Sequence, residues 1–91
     1  MDMVKVKVTL LGDLANIAKV KNTEVELSDG STLKDLFNYL ISKYGSQLKE
    51  FLDFSSKNRA FVMINSKVAI TDDVKLNSED NVVISPPMEG G

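Results

Sequence analysis

The residues best suited to chemistry stand at the end of the chain, in the run Pro86-Pro87-Met88-Glu89-Gly90-Gly91. At average usages of about 7% for Gly and about 5% for Pro, this arrangement arises by chance on the order of once in 100,000 six-residue ends. A disordered end, a cloning scar and a truncation are the alternatives to a functional tail. The reactive group of such a tail is the α-carboxylate of Gly91. It becomes an acyl donor once it attacks the α-phosphate of ATP and forms an acyl-adenylate, which can then accept sulfur.

The two prolines predict how this tail is presented. Pro86 and Pro87 cannot donate a backbone hydrogen bond to a sheet, and their fixed φ near −65° favours an extended chain. At roughly 3.3 Å per residue the last six residues reach about 20 Å, which is enough to enter the active site of another protein. Gly90 and Gly91 lack a Cβ atom, so a narrow channel can admit them. We therefore predict a folded domain of residues 1–85 and a projecting tail of residues 86–91 that threads into a partner.

The composition argues against several other functions. The 91 residues include neither Cys nor His, which removes thiol nucleophiles, thiolate metal sites and the commonest general base. Acidic residues outnumber Lys and Arg by 13 to 11, without a basic run, so no nucleic-acid partner is expected. No apolar run approaches the roughly 20 residues of a membrane span, and Met1-Asp2 leads directly into an alternating segment rather than a signal peptide. We expect a cytoplasmic protein that holds no metal or cofactor and has no catalytic site of its own.

The N-terminal part has the pattern of a β-hairpin with an elaborated connection. Residues 3–10 alternate between apolar and polar side chains, as in a half-buried strand. Asp13 is placed to cap a short helix. Residues 23–27 form a second β-prone run, and the turn signal Asp29-Gly30 closes it.

The strongest helical pattern follows this turn. Thr32 and Asp35 resemble a capping box, and Gly45 is placed to end the helix in a left-handed conformation. Between them, apolar residues recur at three- and four-residue steps and form one stripe: Leu33, Leu36, Phe37, Leu40, Ile41 and Tyr44. Such a stripe predicts a helix that packs on an apolar surface.

The C-terminal half predicts three more strands and two less regular segments. Residues 48–54 form a shorter amphipathic piece before a polar loop, and Val74 and Leu76 could anchor a turn of helix within a polar stretch. The predicted strands are residues 60–64, 68–70 and 82–85, with a tight turn at residues 65–67. A mixed sheet with one dominant helix on one face is an α+β fold.

Alternation divides the last strands into two faces. If the even-numbered residues face the helix, the odd-numbered residues Phe61, Met63 and Val83 lie on the outer surface. One interpretation is a patch on which a partner docks. The other is that Phe61 and Met63 fill a second small cluster under the loop of residues 48–58.

Together these segments resemble the MoaD/ThiS family of ubiquitin-like sulfur carriers over essentially the whole chain. The similarity lies in the turn and capped helix of residues 29–36, in the strand Val62-Met63-Ile64-Asn65, and above all in the tail, which is most similar to the MoaD branch. The resemblance implies a β-grasp fold and the small subunit of molybdopterin synthase. It also implies that a MoeB-type ATP-dependent activating enzyme adenylates Gly91 and that a sulfurtransferase supplies the sulfur of a thiocarboxylate. The tail would then dock into a MoaE-type large subunit and pass its sulfur to precursor Z, forming the dithiolene of molybdopterin.

Three features depart from the family pattern. Glu89 stands where the family's tails usually carry a small residue, Glu79-Asp80 replaces a common Gly-Asp turn, and residues 46–59 are longer than in the shortest members. Alternative functions therefore stay open. One is a ubiquitin-like modifier of the small archaeal type, conjugated through Gly91 to lysines and serving also in tRNA thiolation. Others are a thiamin sulfur carrier and an interaction domain whose tail has no role.

Overall fold

A mixed sheet of five strands forms the framework of the computed structural model, which describes residues 2–87. The strand order is β2-β1-β5-β3-β4, with β1 and β5 parallel and the other neighbours antiparallel. The strands are β1 (Met3–Leu10), β2 (Asn22–Ser28), β3 (Phe61–Ile64), β4 (Lys67–Val68) and β5 (Asn81–Ser85). The helices are α1 (Asp13–Ala18) and α2 (Leu33–Tyr44), followed by a 3₁₀ turn, Ser46–Leu48.

The N-terminal hairpin follows the predicted alternation. The apolar side chains of β1 are buried in the core, and Val6 lies opposite Val25 of β2. The predicted cap of α1 is wrong, because Gly12 rather than Asp13 is the N-cap residue, and Asp13 lies in the first turn. There its carboxylate still faces the positive end of the helix dipole.

The main helix, α2, begins at the predicted capping box. The backbone N–H of Thr32 donates to Oδ2 of Asp35 at 2.8 Å. Four residues of the apolar stripe are buried, whereas Ile41 and Tyr44 are half-buried and pack against the core. The helix ends at Tyr44, and the N–H of the C-cap residue Gly45 donates to the carbonyl of Ile41 at 2.9 Å. Gly45 has the expected positive φ of 121°, but its ψ of 154° is extended, so the predicted left-handed helical conformation is wrong.

The polar stretch of residues 71–81 contains no helical turn, contrary to the sequence prediction. Its backbone instead runs beside the start of α2, where Val74 accepts the N–H of Leu33 at 2.9 Å and Asp72 accepts the N–H of Lys34 at 2.8 Å. These carbonyls satisfy first-turn N–H groups that have no partner within a helix. Leu76, which is fully buried, fixes the segment to the core.

The β3–β4 hairpin has a shorter turn than predicted. Asn65 and Ser66 have φ of 51° and 72°, the sign that both central residues of a type I′ turn require. Lys67 therefore belongs to β4, and β4 ends at Val68 rather than at residue 70.

The helix α2 and the segment that follows it cover one face of the sheet. Leu48 and Leu52 are buried, and the ring of Phe54 meets that of Phe37 edge-on at 5.7 Å. The predicted α+β architecture, with one main helix on one face of a mixed sheet, is thus confirmed. Within residues 2–87, no helix is long and apolar enough to cross a membrane.

Candidate functional site

The tail leaves the body from β5, which lies at the centre of the sheet between β1 and β3. The backbone N–H of Leu11 donates to the carbonyl of Ile84 at 3.0 Å, and Ser85 is paired with Phe61. Pro86 and Pro87 follow, both half-buried. Since neither has an N–H, the ladder cannot continue along them. The course of Pro86 and Pro87 is therefore set by packing rather than by sheet hydrogen bonds.

The outer face of β3, β4 and β5 carries an apolar patch at the root of the tail. Met63 lies directly opposite both Val83 and Val68, so the three side chains share one face. Phe61 is 45% exposed and Val68 is 53% exposed, whereas Met63 and Val83 are half-buried. We call these four residues the outer patch: Phe61, Met63, Val68 and Val83.

The burial pattern decides between the two interpretations of Phe61. The aromatic residues of the loop, Phe51 and Phe54, pack against the helix-side core, and Phe61 does not belong to that core. Because the Phe61 side chain is 45% exposed, it is not buried in a second cluster under the loop. Whether a partner docks on Phe61, Met63 and Val83 stays a prediction. The sequence did not indicate Val68 for this surface, because its place opposite Met63 depends on the two-residue turn.

The two halves of the outer face differ in polarity. On β1 and β2, Lys5 lies opposite Glu26 and Lys7 lies opposite Glu24. Lys7 also approaches Glu79, with Nζ 3.8 Å from Oε2, although both side chains are more than half exposed. Opposite charges in facing strands suit a solvated surface. The apolar half is the one from which the tail emerges.

A groove of about 480 Å³ joins the outer patch to the tail. Phe61 and Pro87 line it, together with two basic residues of the preceding loop, Lys57 and Arg59. The guanidinium of Arg59 donates to the carbonyl of Phe54 at 2.9 Å, which orients the side chain. The root of the tail therefore combines an aromatic ring, a proline and two positive charges.

The loop that carries these basic residues has an ordered beginning. The hydroxyl and the backbone N–H of Ser55 both donate to Oδ1 of Asp53, at 2.6 and 2.9 Å. These hydrogen bonds stabilise the carboxylate, with the hydroxyl contributing most, and lower the pKa of Asp53 below its usual value. The turn helps to place the loop beside the tail.

A second cluster of polar aromatic residues lies far from this surface, at the end of α2. The ammonium of Lys43 stands 5.7 Å from the ring centre of Tyr39 and 5.5 Å from that of Tyr44. Its hydrogen bond with the Tyr39 hydroxyl is the largest of the effects that raise the pKa of Lys43. Because α2 covers the opposite face of the sheet, this cluster does not contribute to the tail region.

The reactive end of the predicted tail lies outside the described residues. These residues are Met88, Glu89, Gly90 and Gly91, whereas Pro86 and Pro87 are described and lie against the body. Across residues 2–87, no three acidic side chains group in a way that could hold a metal ion. The described residues therefore place the start of the tail, Pro86 and Pro87, beside the outer patch.

Comparisons with known proteins bear on this arrangement. No curated protein is significantly similar to the chain in sequence. Among solved structures, the putative molybdopterin converting factor subunit 1 of Pyrococcus furiosus is similar, with 26% identity and a TM-score of 0.76 over 93% of this chain and 99% of that chain. A chain in the complex of subunits 1 and 2 of the molybdopterin-converting factor from Helicobacter pylori is also similar, with 26% identity and a TM-score of 0.66 over 97% of this chain and 100% of that chain.

The small archaeal modifier protein 1 of Methanosarcina acetivorans shares the fold across the whole length of both chains, with 24% identity and a TM-score of 0.76. The architecture is therefore the β-grasp, ubiquitin-like fold. The family model described as the ThiS family matches residues 8–91, which include all the strands but the beginning of β1. The chain belongs to the ThiS family, and thus to the ubiquitin-like sulfur carriers.

Proposed function

We propose that this protein is the small, sulfur-donating subunit of a molybdopterin synthase. The observation that carries the proposal is the position of the proline pair, which follows the central strand β5 directly beside the outer patch. A partner that binds the patch therefore meets the root of the tail at the same time. Similarity to two molybdopterin-converting factor subunits supports this choice within the family.

In this proposal the chemistry takes place at the α-carboxylate of Gly91. One carboxylate oxygen attacks the α-phosphorus of ATP and expels pyrophosphate, which leaves Gly91 as an acyl-adenylate. The outer sulfur of a sulfurtransferase persulfide then attacks the carbonyl carbon and expels AMP, which forms an acyl disulfide. A thiol cleaves the S–S bond of this intermediate and is itself oxidised to a disulfide, which leaves Gly91 as a thiocarboxylate. The carrier supplies no catalytic group to these steps. It presents its end to an activating enzyme of the MoeB type and afterwards to a large subunit of the MoaE type.

The outer patch is the proposed docking surface for both partners. Phe and Met are among the residues enriched in protein–protein interfaces, and the outer patch contains Phe61 and Met63. The proposal includes Phe61, Met63 and Val83, and the structure adds Val68 to the same face. We place the reaction in the cytoplasm, because a chain without Cys suits a reducing compartment.

Glu89 is expected to influence the choice of partner. It adds a negative charge two residues before Gly91. A partner channel must accept this charge or leave it in solvent, because an unpaired buried carboxylate is unfavourable. The two basic residues near the tail, Lys57 and Arg59, partly offset the charge of the tail as a whole before it enters the channel.

Conjugation to lysines is the second candidate function. The solved structures of similar fold include one named as a small archaeal modifier protein. Both functions begin with the same acyl-adenylate, and they differ in whether sulfur or a lysine amine then attacks Gly91. Detection of isopeptide-linked remnants on other proteins would favour the modifier.

Deletion of Gly91 tests the proposed role of the tail. The shortened protein should keep the folding of the intact chain, because the core lies within residues 4–84. It should no longer support molybdopterin formation when mixed with its activating enzyme, a sulfur donor and the large subunit. A matched control adds one Ala after Gly91, which keeps the diglycine but moves the carboxylate, and should be equally inactive. Undiminished product from either variant would contradict the proposal.

A further inference from the structure

Gly12 and Pro86 are in close contact at the base of the tail. A Cβ atom at position 12 would lie 2.9 Å from Cγ and 3.3 Å from Cδ of Pro86. A distance below 3.0 Å forces one partner to move, and the pyrrolidine ring cannot rotate away as a flexible side chain does. Only a residue without a Cβ atom at position 12 therefore leaves Pro86 where it is.

The backbone around Gly12 is itself fixed. Gly12 has φ 55° and ψ −133°, close to the values of the first central residue of a type II′ turn. The hydrogen bond of this turn runs from the N–H of Leu14 to the carbonyl of Leu11 at 3.2 Å. On the other side, the N–H of Leu11 donates to Ile84, two residues before Pro86. The turn and the end of β5 are therefore hydrogen-bonded to each other beside the contact. The ring of Pro86 therefore packs directly against the backbone of Gly12, and we call this the Gly12–Pro86 contact.

We propose that Gly12 is a positioning residue for the tail. Its contact with the Pro86 ring sets the direction in which the chain leaves β5, and this direction determines how efficiently Gly91 is adenylated. The inference rests on the proposed function, because direction matters only if the tail enters an active site. A change of about 20° at Pro86 displaces the end of an extended five-residue chain by about 5 Å. A shift of about 1 Å in a reacting group can already lower a rate by up to 100-fold.

A double-mutant cycle separates the contact from strain in the turn. The variants are Gly12→Ala, Pro86→Ala and the pair together, because a Cβ atom at position 12 meets the ring only when Pro86 is present. Gly30→Ala is the matched control: Gly30 also has a positive φ, 92°, but a Cβ atom there would have nothing within 4 Å. It reproduces backbone strain without touching the tail.

The kinetic measurement is ATP–pyrophosphate exchange catalysed by the activating enzyme of the source organism, over a range of carrier concentrations. Gly12→Ala should lower kcat about 10-fold with little change in KM, because the outer patch still docks. Gly30→Ala should match the wild type. In the Pro86→Ala background, adding Gly12→Ala should change kcat by less than about twofold. Equal effects of Gly12→Ala in both backgrounds would overturn the inference.

A structural measurement does not depend on the enzyme. Since the chain has no Cys, Met88→Cys accepts a single nitroxide label, which broadens the amide signals of nearby residues. The set of broadened amides should differ between Gly12→Ala and the wild type and should be unchanged in Gly30→Ala. If Gly12→Ala broadens the same amide signals as the wild type, the Gly12–Pro86 contact does not direct the tail.

The outcomes distinguish the two proposals. If the wild type supports no ATP–pyrophosphate exchange, the proposed function is wrong. The nitroxide label at position 88 still shows whether the Gly12–Pro86 contact directs the tail. If Gly12→Ala does not fold, Pro86→Ala removes the ring from the other side, and a lower kcat with unchanged KM is then expected. A wild-type kcat for Pro86→Ala would overturn the inference.

Discussion

The side-chain amide of Asn65 donates to Oδ1 of Asp80 at 2.8 Å and ties the β3–β4 turn to the residue before β5. Oδ1 of Asn65 accepts the N–H of Asn81 at 2.9 Å, and Oδ2 of Asp80 accepts the N–H of Asn77 at 2.7 Å. Asp80 is only 8% exposed. This network fixes the start of β5 and so the strand from which the tail emerges.

Asp80→Asn should destabilise the protein by about 1–3 kcal/mol. Both carboxylate oxygens of Asp80 face an N–H donor, whereas an amide has only one acceptor oxygen, so one donor loses its partner. Urea unfolding followed by circular dichroism measures the change. Asp29→Asn, at an exposed position, is the control and should alter stability by less than about 0.5 kcal/mol. Equal stability of the two variants would show that the network contributes little.

Phe61→Ser should weaken binding to the activating enzyme and to the large subunit by about 5-fold or more, since loss of an interface anchor costs more than about 1 kcal/mol. The side chain is 45% exposed and lies outside the core, so the free energy of unfolding should change by less than about 1 kcal/mol. Titration calorimetry and urea unfolding measure the two quantities.

Two variants bracket this result. Met3→Ser removes an exposed apolar side chain from the end of β1 far from the tail, and it should leave binding unchanged. Phe37→Ser removes a ring that is 2% exposed, and it should cost at least about 3 kcal/mol of stability. If Phe61→Ser instead destabilises the protein as Phe37→Ser does, Phe61 is a structural residue and the outer patch is wrongly assigned.

Glu79→Gly should stabilise the protein by about 0.5–1 kcal/mol. Glu79 has φ 73°, a conformation that glycine adopts without steric cost. The exposed ion pair with Lys7 is lost, but such pairs contribute little. Thermal and urea unfolding at pH 7 measure the gain.

Glu79→Gln is the matched control for this gain. It removes the charge but keeps the Cβ atom, so its stability should stay within about 0.5 kcal/mol of the wild type. If Glu79→Gly is less stable than Glu79→Gln, the backbone at residue 79 is not strained. The departure from the family's Gly-Asp turn would then have no cost.

The local pattern of the chain predicts most of the fold. The alternation of β1, the capping box at Thr32 and the stripe of α2 each follow from contacts between residues near in sequence, and all three are confirmed. Residues 71–81 were predicted wrongly because their conformation depends on distant groups. Their carbonyls accept N–H groups from the first turn of α2, which no local pattern indicates.

The surface at the tail was only partly predictable for the same reason. Alternation places Phe61, Met63 and Val83 on one face, and their burial agrees with that parity. Val68 and Gly12 could not be assigned, since one depends on the length of the β3–β4 turn and the other on a contact with Pro86, far away in sequence. For Gly12, the only signal in the sequence is a glycine between a predicted strand and a predicted helix.

Intact-mass measurement shows whether Gly91 carries sulfur. The purified chain is incubated with ATP, the activating enzyme and a sulfur donor, with a reaction lacking ATP as the control. We expect a species heavier by the exchange of one oxygen for one sulfur, with the change located at Gly91 by fragmentation. An unchanged mass in the complete reaction, with the activating enzyme shown to be active, would mean that Gly91 does not carry sulfur.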